Sequence, residues 1–173
     1  MAETIKELLN MLIRKAEMKD LKELLEIYNH EIKNGSSTLD LELKTPDEWK
    51  EWFYKHNVDN LPLFVAEVDG RVAGYASMSE YGAKEAFKTT VEMSIYIRVE
   101  YRNKRVASSL LAFILEEAHK DERTHTVVSV ITAGNEASRR LHEKFGFEFC
   151  GTIKEVGMKF GKYWDIEIYR MGV

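Results

Sequence analysis

The feature that most constrains the fold is an alternating segment that runs into a basic turn and then into an amphipathic helix. Between residues 91 and 97 every second side chain is apolar, and the intervening face carries Glu92. Such a period of two predicts a strand with one buried and one polar face. The turn at 101–107 is rich in arginine and lysine, and apolar residues recur at helical spacing over 107–118. The segment therefore predicts a strand–turn–helix unit with cations beside the helix start.

The start of that helix is suited to an anion. The first turn of a helix presents unpaired backbone N–H groups and a partial positive charge. Arg102, Lys104 and Arg105 stand directly before it. The pattern favours a phosphate or pyrophosphate ligand. It is equally compatible with a solvated basic turn in front of an ordinary helix, so spacing alone leaves both interpretations open.

The remaining segments carry alternating strand and helix signals. Thr45-Pro46 followed by Glu48 is a strong helix start, and Asp69-Gly70 between two β-prone runs predicts a tight hairpin. Asp20 is expected to cap a helix. The other expected elements are an amphipathic N-terminal helix within 1–11, strands near 12–15, 126–131, 147–151 and 165–171, and a helix from Asn135 to Gly146. Together they predict a helical extension at 1–11 and one α/β (α+β) domain with a mixed sheet at 12–173.

Composition disfavours several classes of protein. The chain has 173 residues, and 25 Lys and Arg against 29 Asp and Glu give a formal net charge of −4. An acidic balance disfavours nucleic acid and anionic membranes as partners. No apolar run reaches the length of a membrane span, and no signal-peptide pattern opens the chain. The single cysteine, Cys150, cannot form an internal disulfide, so a cytoplasmic location is expected.

A family resemblance is carried by several segments in collinear order. The segment Tyr101–Leu111 resembles the acetyl-CoA loop of the GCN5-related N-acetyltransferases, the GNAT superfamily, with the pattern Gln/Arg-x-x-Gly-x-Gly/Ala. Arg102 and Ala107 match that pattern, and Arg105 stands where glycine is usual. Further segments across 12–171 resemble the phosphinothricin and methionine sulfoximine N-acetyltransferase branch. They are 13–16, 27–32, 45–49, 65–74, 90–97, 135–147, 151–152 and 163–165.

The resemblance implies a fold and an activity. The fold is a mixed, mostly antiparallel central sheet with a splayed pair of strands, flanked by helices. The activity is acetyl transfer from acetyl-CoA, as co-substrate, to the primary amine of a small amino-acid-like acceptor by direct attack in a ternary complex. A homodimer is also implied. Two alternatives stay open: a non-catalytic acyl-CoA-binding or regulatory module, and a peptide or protein N-acetyltransferase.

Two residues are candidates for catalysis. Glu92 matches the glutamate proposed as general base in that branch, which would accept the proton that an ammonium must lose before attack. Its alternative is one charge on the wet face of a half-exposed strand. By the resemblance, His142 lies near the reacting centre, where it would relay a proton or support the leaving thiolate; its alternative is a structural histidine. No metal is expected, because no ligand spacing is shown by His30, His56, His119 and His125.

The resemblance assigns the other site residues to ligands. Main-chain groups at Ile97 and Val99 would pair with the pantetheine arm of the cofactor, and Asn135 and Ser138 would lie along it. The pyrophosphate would be held by Arg102, Asn103, Lys104, Arg105, Val106, Ala107 and Ser108. Arg105 would donate its N–H if its φ stays negative, and its cation would add a phosphate contact or its side chain would crowd the loop. The acceptor would meet Lys84, or that lysine is simply solvated in its loop. Tyr75 and Phe87 would wall the acceptor pocket or belong to the core, and Tyr28 is expected in the core.

Overall fold

The computed structural model describes residues 10–173 and arranges them around a seven-stranded sheet. The strands are β1 (Met11–Lys15), β2 (Leu63–Val68), β3 (Arg71–Glu80), β4 (Thr90–Ile97), β5 (Thr126–Thr132), β6 (Glu148–Lys159) and β7 (Lys162–Gly172). The α-helices of this part of the chain are α1 (Leu21–Asn34), α2 (Pro46–Tyr54), α3 (Val106–Lys120) and α4 (Glu136–Lys144). The N-terminal helix predicted within 1–11 lies mostly outside the described residues, which begin at residue 10. Met11 is already the first residue of β1.

The sheet contains one splayed pair of strands in its middle. The strand order is β1-β2-β3-β4-β5-β7-β6, and within residues 10–173 only β4 and β5 pair in parallel. Their ladder joins Thr90–Glu92 to Thr126–Val128 and then stops, so the rest of the two strands diverges. The predicted mixed, mostly antiparallel sheet with a splayed pair is therefore confirmed.

Helices cover both faces of the sheet. On one face α3 buries Leu110 and Ile114 against Met93 of β4. On the other face α1 and α2 pack Leu24 and Trp49 in one cluster with Tyr75 of β3. The predicted alternation of β4 is confirmed, since its odd-numbered apolar residues join the α3 cluster while Tyr96 packs against the other one. None of the helices between residues 10 and 173 has both the length and the apolarity to cross a bilayer.

Two predicted local signals form as expected. Thr45 caps α2 in a capping box, in which its hydroxyl accepts from the Glu48 N–H and the Glu48 carboxylate accepts from the Thr45 N–H. Asp69 and Gly70, with φ of 50° and 80°, form the two-residue turn between β2 and β3. Positive φ at both central positions is the turn geometry that matches the twist of a hairpin.

Asp20 behaves differently from the expectation. Helix α1 begins directly after it, but its carboxylate makes no cap bond to the helix. It accepts from the Arg14 guanidinium at 2.7 and 2.8 Å and from the Glu17 N–H at 2.8 Å. A buried carboxylate needs a cation and several donors, so the ion pair takes the oxygens that a cap would use.

The last two strands are longer than the short strands expected near 147–151 and 165–171. They form one hairpin that turns at Phe160-Gly161, with φ of 53° and 73°. The ladder is irregular between Ile153 and Gly157. This irregularity interrupts the alternation of apolar and polar residues along β6, and a Phe-Gly pair is a weaker turn signal than Asp-Gly. The full length of the hairpin is therefore not evident from the sequence.

Candidate active site

The splay between β4 and β5 opens a cleft of about 470 Å³. It is lined by β4 from Met93 to Ile97, by β5 from Ser129 to Thr132, by the start of α3 and by one face of α4. Because the β4–β5 ladder ends at Glu92 and Val128, the strand edges that face this gap have no partner strand among residues 10–173. An extended ligand with amide groups would satisfy such backbone groups.

The start of α3 forms one end of the cleft. The helix begins at Val106, and the turn before it contains Asn103 and Arg105 with φ of 60° and 66°. Left-handed residues in front of a helix N-terminus are typical of backbone nests that bind anions. The φ of Arg105 is positive, whereas a negative value was the condition for donation by its N–H in the sequence analysis. It reproduces the backbone conformation that glycine adopts easily.

Arg102 ties the turn to the rest of the domain. Its guanidinium pairs with the buried carboxylate of Glu31 on α1, and its Nε donates to the Ile97 carbonyl at 3.1 Å. Lys104 lies over the ring of Tyr101, with 5.7 Å from its Nζ to the ring centroid. The Arg102 side chain is therefore already engaged by protein groups, so a ligand at this end of the cleft would meet the backbone N–H groups of the turn and Arg105, which also lines the cleft.

A buried histidine–serine pair lies in the wall of this cleft. His142 on α4 is 2% exposed, with its Nδ1 2.7 Å from the Ser138 carbonyl and its Nε2 3.0 Å from the Ser129 hydroxyl. A carbonyl only accepts, so Nδ1 carries a proton, and burial lowers the pKa of His142 and favours the neutral ring. Its Nε2 therefore accepts a hydrogen bond from Ser129.

A second cavity, of about 350 Å³, lies on the other face of the sheet. Its walls are mostly aromatic, its floor carries serine hydroxyls, and three charged side chains join them. The lining residues are Tyr28, Asp40, Lys44, Glu48, Trp49, Trp52, Tyr75, Ser77, Ser79, Ser94 and Tyr96. Ser94 and Tyr96 also line the cleft, so the two cavities adjoin across β4.

Some polar groups of this second cavity have hydrogen-bond or ion-pair partners, and others have none in the described chain. Lys44 lies 3.0 Å from Asp40, which also accepts from the Tyr28 hydroxyl at 2.9 Å. Burial raises the pKa of Tyr28 to about 12, so it stays a donor. The indole N–H of Trp49 and the hydroxyl of Tyr75 are buried without a partner among residues 10–173. Unpaired buried donors are rare in native proteins, and a bound oxygen atom would satisfy them.

Glu92 lies on the sheet face that forms the floor of this cavity. In the β3–β4 register it stands opposite Ser79, as Ser94 stands opposite Ser77. The carboxylate is half-buried and makes no hydrogen bond or ion pair within the described chain, and burial raises its pKa. Glu92 lines neither cavity itself and adjoins the second one as the cross-strand neighbour of the lining residue Ser79. A carboxylate of raised pKa in such a place is suited to accept a proton.

Comparison with known proteins identifies the family. The family model described as "Acetyltransferase (GNAT) family" matches residues 21–147. The chain belongs to the GNAT family. It is thus an acetyl-CoA-dependent N-acetyltransferase, and the resemblance noted in the sequence is confirmed.

Relatives place this GNAT acetyltransferase among enzymes named for small amino-acid derivatives. A phosphinothricin N-acetyltransferase from Streptomyces coelicolor is 37% identical over 160 residues, which are 91% of this chain and 93% of the relative. An L-methionine sulfoximine/L-methionine sulfone acetyltransferase from Pseudomonas aeruginosa is 34% identical over 165 residues, covering 93% and 94% of the two chains. The Salmonella typhimurium protein yncA, solved with its cofactor acetyl-CoA, superposes with a TM-score of 0.90 at 31% identity and covers 94% of each chain.

The acetyltransferase brings most of the expected cofactor residues to its cleft. They are Ile97, Arg102, Asn103, Arg105, Val106, Ala107, Ser108, Asn135 and Ser138, with His142 beside them. Val99 and Lys104 lie just outside the cleft lining. The cleft therefore fits an extended ligand with a pyrophosphate at the α3 end, since unpaired strand edges and a helix N-terminus are joined in one groove.

Of the three residues expected to contact the acceptor, one lines a cavity and two do not. Tyr75 is buried and lines the second cavity, whereas Lys84 and Phe87 lie in an exposed loop and line neither cavity. Their part in acceptor binding stays a prediction. Tyr28 stacks on Trp49 at 4.6 Å, as a core residue would, but it also lines the cavity.

Several residues of the GNAT site have little or no signal in the sequence. Lys44 supplies a cation to the second cavity, and the only sequence signal was its position directly before a helix cap. Ser129 and Ser79 belong to no recognisable motif. A serine within an otherwise apolar strand is a weak hint, because the histidine that bonds it lies far away in the sequence. Residues 10–173 contain no group of three or more His, Cys, Asp or Glu arranged to hold a metal.

Proposed function

We propose that the protein acetylates the primary amine of a small amino-acid-like acceptor by direct attack within a ternary complex. The observation that carries this proposal is the meeting of the two cavities at Ser94 and Tyr96. Each cavity takes one substrate, and the acetyl group and the amine meet at β4 without any covalent intermediate on the enzyme. The names of the relatives, phosphinothricin and methionine sulfoximine acetyltransferases, support an acceptor of this class.

Acetyl-CoA occupies the cleft in this proposal and supplies an activated thioester. The backbone N–H groups of the turn and of the first turn of α3 hold the pyrophosphate. The free edge of β4 pairs with the pantetheine arm, and one of its N–H groups polarises the thioester carbonyl. The residues proposed for these contacts are Ile97, Val99, Arg102, Asn103, Lys104, Arg105, Val106, Ala107, Ser108, Asn135 and Ser138.

Glu92 acts as the general base and His142 as a proton relay. The Glu92 carboxylate accepts a proton from the acceptor ammonium, and the neutral amine attacks the thioester carbonyl carbon. The new C–N bond forms, the C–S bond breaks, and the amine nitrogen must lose a second proton. Ser129 takes that proton while passing its own to His142, and the pair returns one proton to the departing thiolate. The products are an amide and a free thiol.

The acceptor occupies the second cavity. Lys44, which is ion-paired with Asp40, shares its charge with an acidic group of the acceptor, and the Trp49 and Tyr75 donors suit a side-chain oxygen. Lys84 and Phe87 remain proposed contributors from the loop beside β4. Such an arrangement favours a zwitterionic acceptor with an oxygen-bearing side chain over a plain alkylamine.

The same proposal includes a cytoplasmic homodimer. Large apolar side chains cluster on β6 and its hairpin, where the sheet ends at an edge strand with no further partner in the described part of the chain. Six of them are between 47% and 62% exposed: Phe149, Ile153, Val156, Met158, Phe160 and Tyr163. An apolar edge of this kind is normally covered, and a second copy would cover it. Sedimentation should give twice the chain mass at micromolar concentration, and a monomer mass would contradict the dimer.

The proposed activity is tested by following free thiol release with acetyl-CoA and a panel of amines. The panel holds methionine sulfone, methionine sulfoximine, phosphinothricin, common amino acids, polyamines and short peptides. We expect turnover with the oxygen-bearing amino-acid derivatives. Binding of acetyl-CoA without turnover on any amine would favour a binding or regulatory module, and turnover on peptides alone would favour a peptide N-acetyltransferase.

A further inference from the structure

A second buried histidine–serine pair lies beneath the acceptor cavity. His56, which follows α2, is 5% exposed. Its Nδ1 lies 2.8 Å from the Trp52 carbonyl, and its Nε2 lies 3.0 Å from the Ser79 hydroxyl oxygen. Trp52 and Ser79 both line the acceptor cavity, and the ring of His56 packs on Trp52 at 4.3 Å. The histidine is thus connected to the cavity through two of its lining residues.

The hydrogen-bond directions within this pair follow from donor and acceptor chemistry. The Trp52 carbonyl only accepts, so the Nδ1 of His56 carries a proton. Burial lowers the pKa of His56, so the ring is neutral and its Nε2 has no proton. The Ser79 hydroxyl must therefore donate to Nε2. With its only proton engaged, Ser79 presents lone pairs alone to the cavity.

The polarity of Ser79 matters because Glu92 is its cross-strand neighbour. Directly opposed residues of an antiparallel pair have Cβ atoms about 4.5–5.5 Å apart, and Ser79 opposes Glu92. A serine with a free proton would donate it to the carboxylate, which would favour the ionised form and occupy an oxygen of the base. With that proton held by His56, the carboxylate has no partner within the described chain.

We propose that His56 is a positioning residue that fixes Ser79 as a hydrogen-bond acceptor, so that Ser79 and Glu92 together bind the ammonium group of the acceptor. Two adjacent acceptors require a ligand with several N–H donors, and a primary ammonium has three. The cavity lining includes Ser79, the strand register sets Glu92 opposite Ser79, and the hydrogen bond from Ser79 to His56 fixes the direction of its hydroxyl. The proposal rests on the proposed acetylation of a primary amine. The other titratable groups about Glu92 are Tyr96 on its own strand and His56 behind β3, while β5 presents Val128.

The proposal is tested by a double-mutant cycle on His56→Phe and Ser79→Ala. Each single variant should raise the KM for the amine about tenfold, the loss of one charge-assisted hydrogen bond. The double variant should be no worse than either single one, because His56 acts through Ser79. His56→Gln, whose side-chain carbonyl can accept from Ser79, should recover part of the loss. The KM for acetyl-CoA should stay unchanged throughout.

His119→Phe is the matched control. His119, at the end of α3, makes the same contact with a carbonyl four residues earlier, at 2.7 Å, but it is exposed and lines neither cavity. Independent effects that multiply to about a hundredfold in the double variant would overturn the proposal. So would an equal loss in His119→Phe. If His56→Phe does not fold, an unchanged amine KM in Ser79→Ala is the overturning result.

A binding measurement separates this proposal from the proposed activity. If the wild type acetylates no amine, the activity has failed, but tryptophan fluorescence still reports acceptor binding beside Trp52. Methionine sulfone should then bind at least tenfold more tightly than its N,N,N-trimethyl derivative, which has no N–H to donate. Equal binding of the two compounds would overturn the ammonium site itself.

Discussion

The two faces of the sheet carry the same pair of side chains in different surroundings. His142 and Ser129 border the cofactor cleft, and His56 and Ser79 lie beneath the acceptor cavity. In both pairs a buried, neutral histidine bonds a carbonyl four residues earlier and accepts from a strand serine. Only the second serine has a carboxylate as cross-strand neighbour, Glu92. If the proposed roles hold, the neighbour of each serine determines whether the pair relays a proton or holds the serine in one orientation.

The two cavities also differ in the kind of groups that build them. The cleft exists because β4 and β5 stop pairing after Glu92 and Val128, so backbone groups form much of its wall. The acceptor cavity lies on fully paired strands and is built from side chains. Substitutions should therefore change acceptor recognition more readily than cofactor recognition, because a side chain can be replaced while a backbone N–H cannot.

The largest expected effect is that of Glu92→Gln, which removes the base and keeps the shape. Turnover should fall by about 10² to 10⁴-fold, the usual contribution of a general base. Calorimetric titration should give an unchanged affinity for acetyl-CoA. The thermal midpoint should not fall, because burial penalises the charged form of Glu92 and the amide carries no charge. Wild-type turnover in this variant would remove Glu92 as the base.

The pH dependence of turnover should report the same carboxylate. The base works only when ionised, so kcat/KM should fall as the pH drops through the pKa of Glu92, which burial raises above the ordinary 4.5. Because burial raises the pKa of Glu92 in the folded state, the folded protein holds this proton more tightly than the unfolded chain. The contribution of Glu92 to the free energy of unfolding is therefore greatest at low pH and is lost as the pH rises through the raised pKa. A pH–rate profile checks the prediction. An acid limb that persists unchanged in Glu92→Gln would assign it to another group.

Ser129→Ala should have an intermediate effect and tests whether the two histidine–serine pairs play different parts. It interrupts the proton relay, so kcat should fall about 10²-fold, at the lower end for proton transfer. The KM for the amine should hardly change, in contrast to Ser79→Ala. Steady-state kinetics on both variants provides the measurement. If Ser129→Ala raised the amine KM and spared kcat, the two pairs would play the same part.

The smallest expected effect is that of Arg105→Gly. Glycine relieves the positive φ of 66°, a conformation that costs other residues about 1 kcal/mol. The free energy of unfolding should rise by up to about that amount. Affinity for acetyl-CoA should fall about threefold, because one cation beside the pyrophosphate is lost. Denaturant unfolding and calorimetry measure the two quantities.

Glu155→Gly is the control for Arg105→Gly. Glu155 has a φ of 50° on the exposed strand β6 and lines neither cavity. It should give the same relief of strain with no change in cofactor affinity. A loss of affinity in both variants would mean that the Arg105 charge contributes nothing specific.

Much of the fold was predictable because its signals are local. The alternation of β4, the Asp69-Gly70 turn and the Thr45 cap each depend on a few neighbouring residues, and all three form as predicted. The acceptor side was less predictable. The role of Lys84, in the loop before β4, stays a prediction, and the cavity lining contains another lysine, Lys44, that the sequence does not single out. A lysine carries no local signal that tells which cavity it will reach.

The family, the order of the elements and the cation-rich helix start can all be recognised in the sequence, since periodicity, caps and turns act over a few residues. The point where β4 and β5 separate is a property of the tertiary structure, because it depends on how far the ladder extends between strands distant in the chain. The tertiary structure alone pairs His56 with Ser79, 23 residues away, and His142 with Ser129, 13 residues away. Such contacts depend on burial and on the geometry of packed elements, which no short segment of sequence encodes.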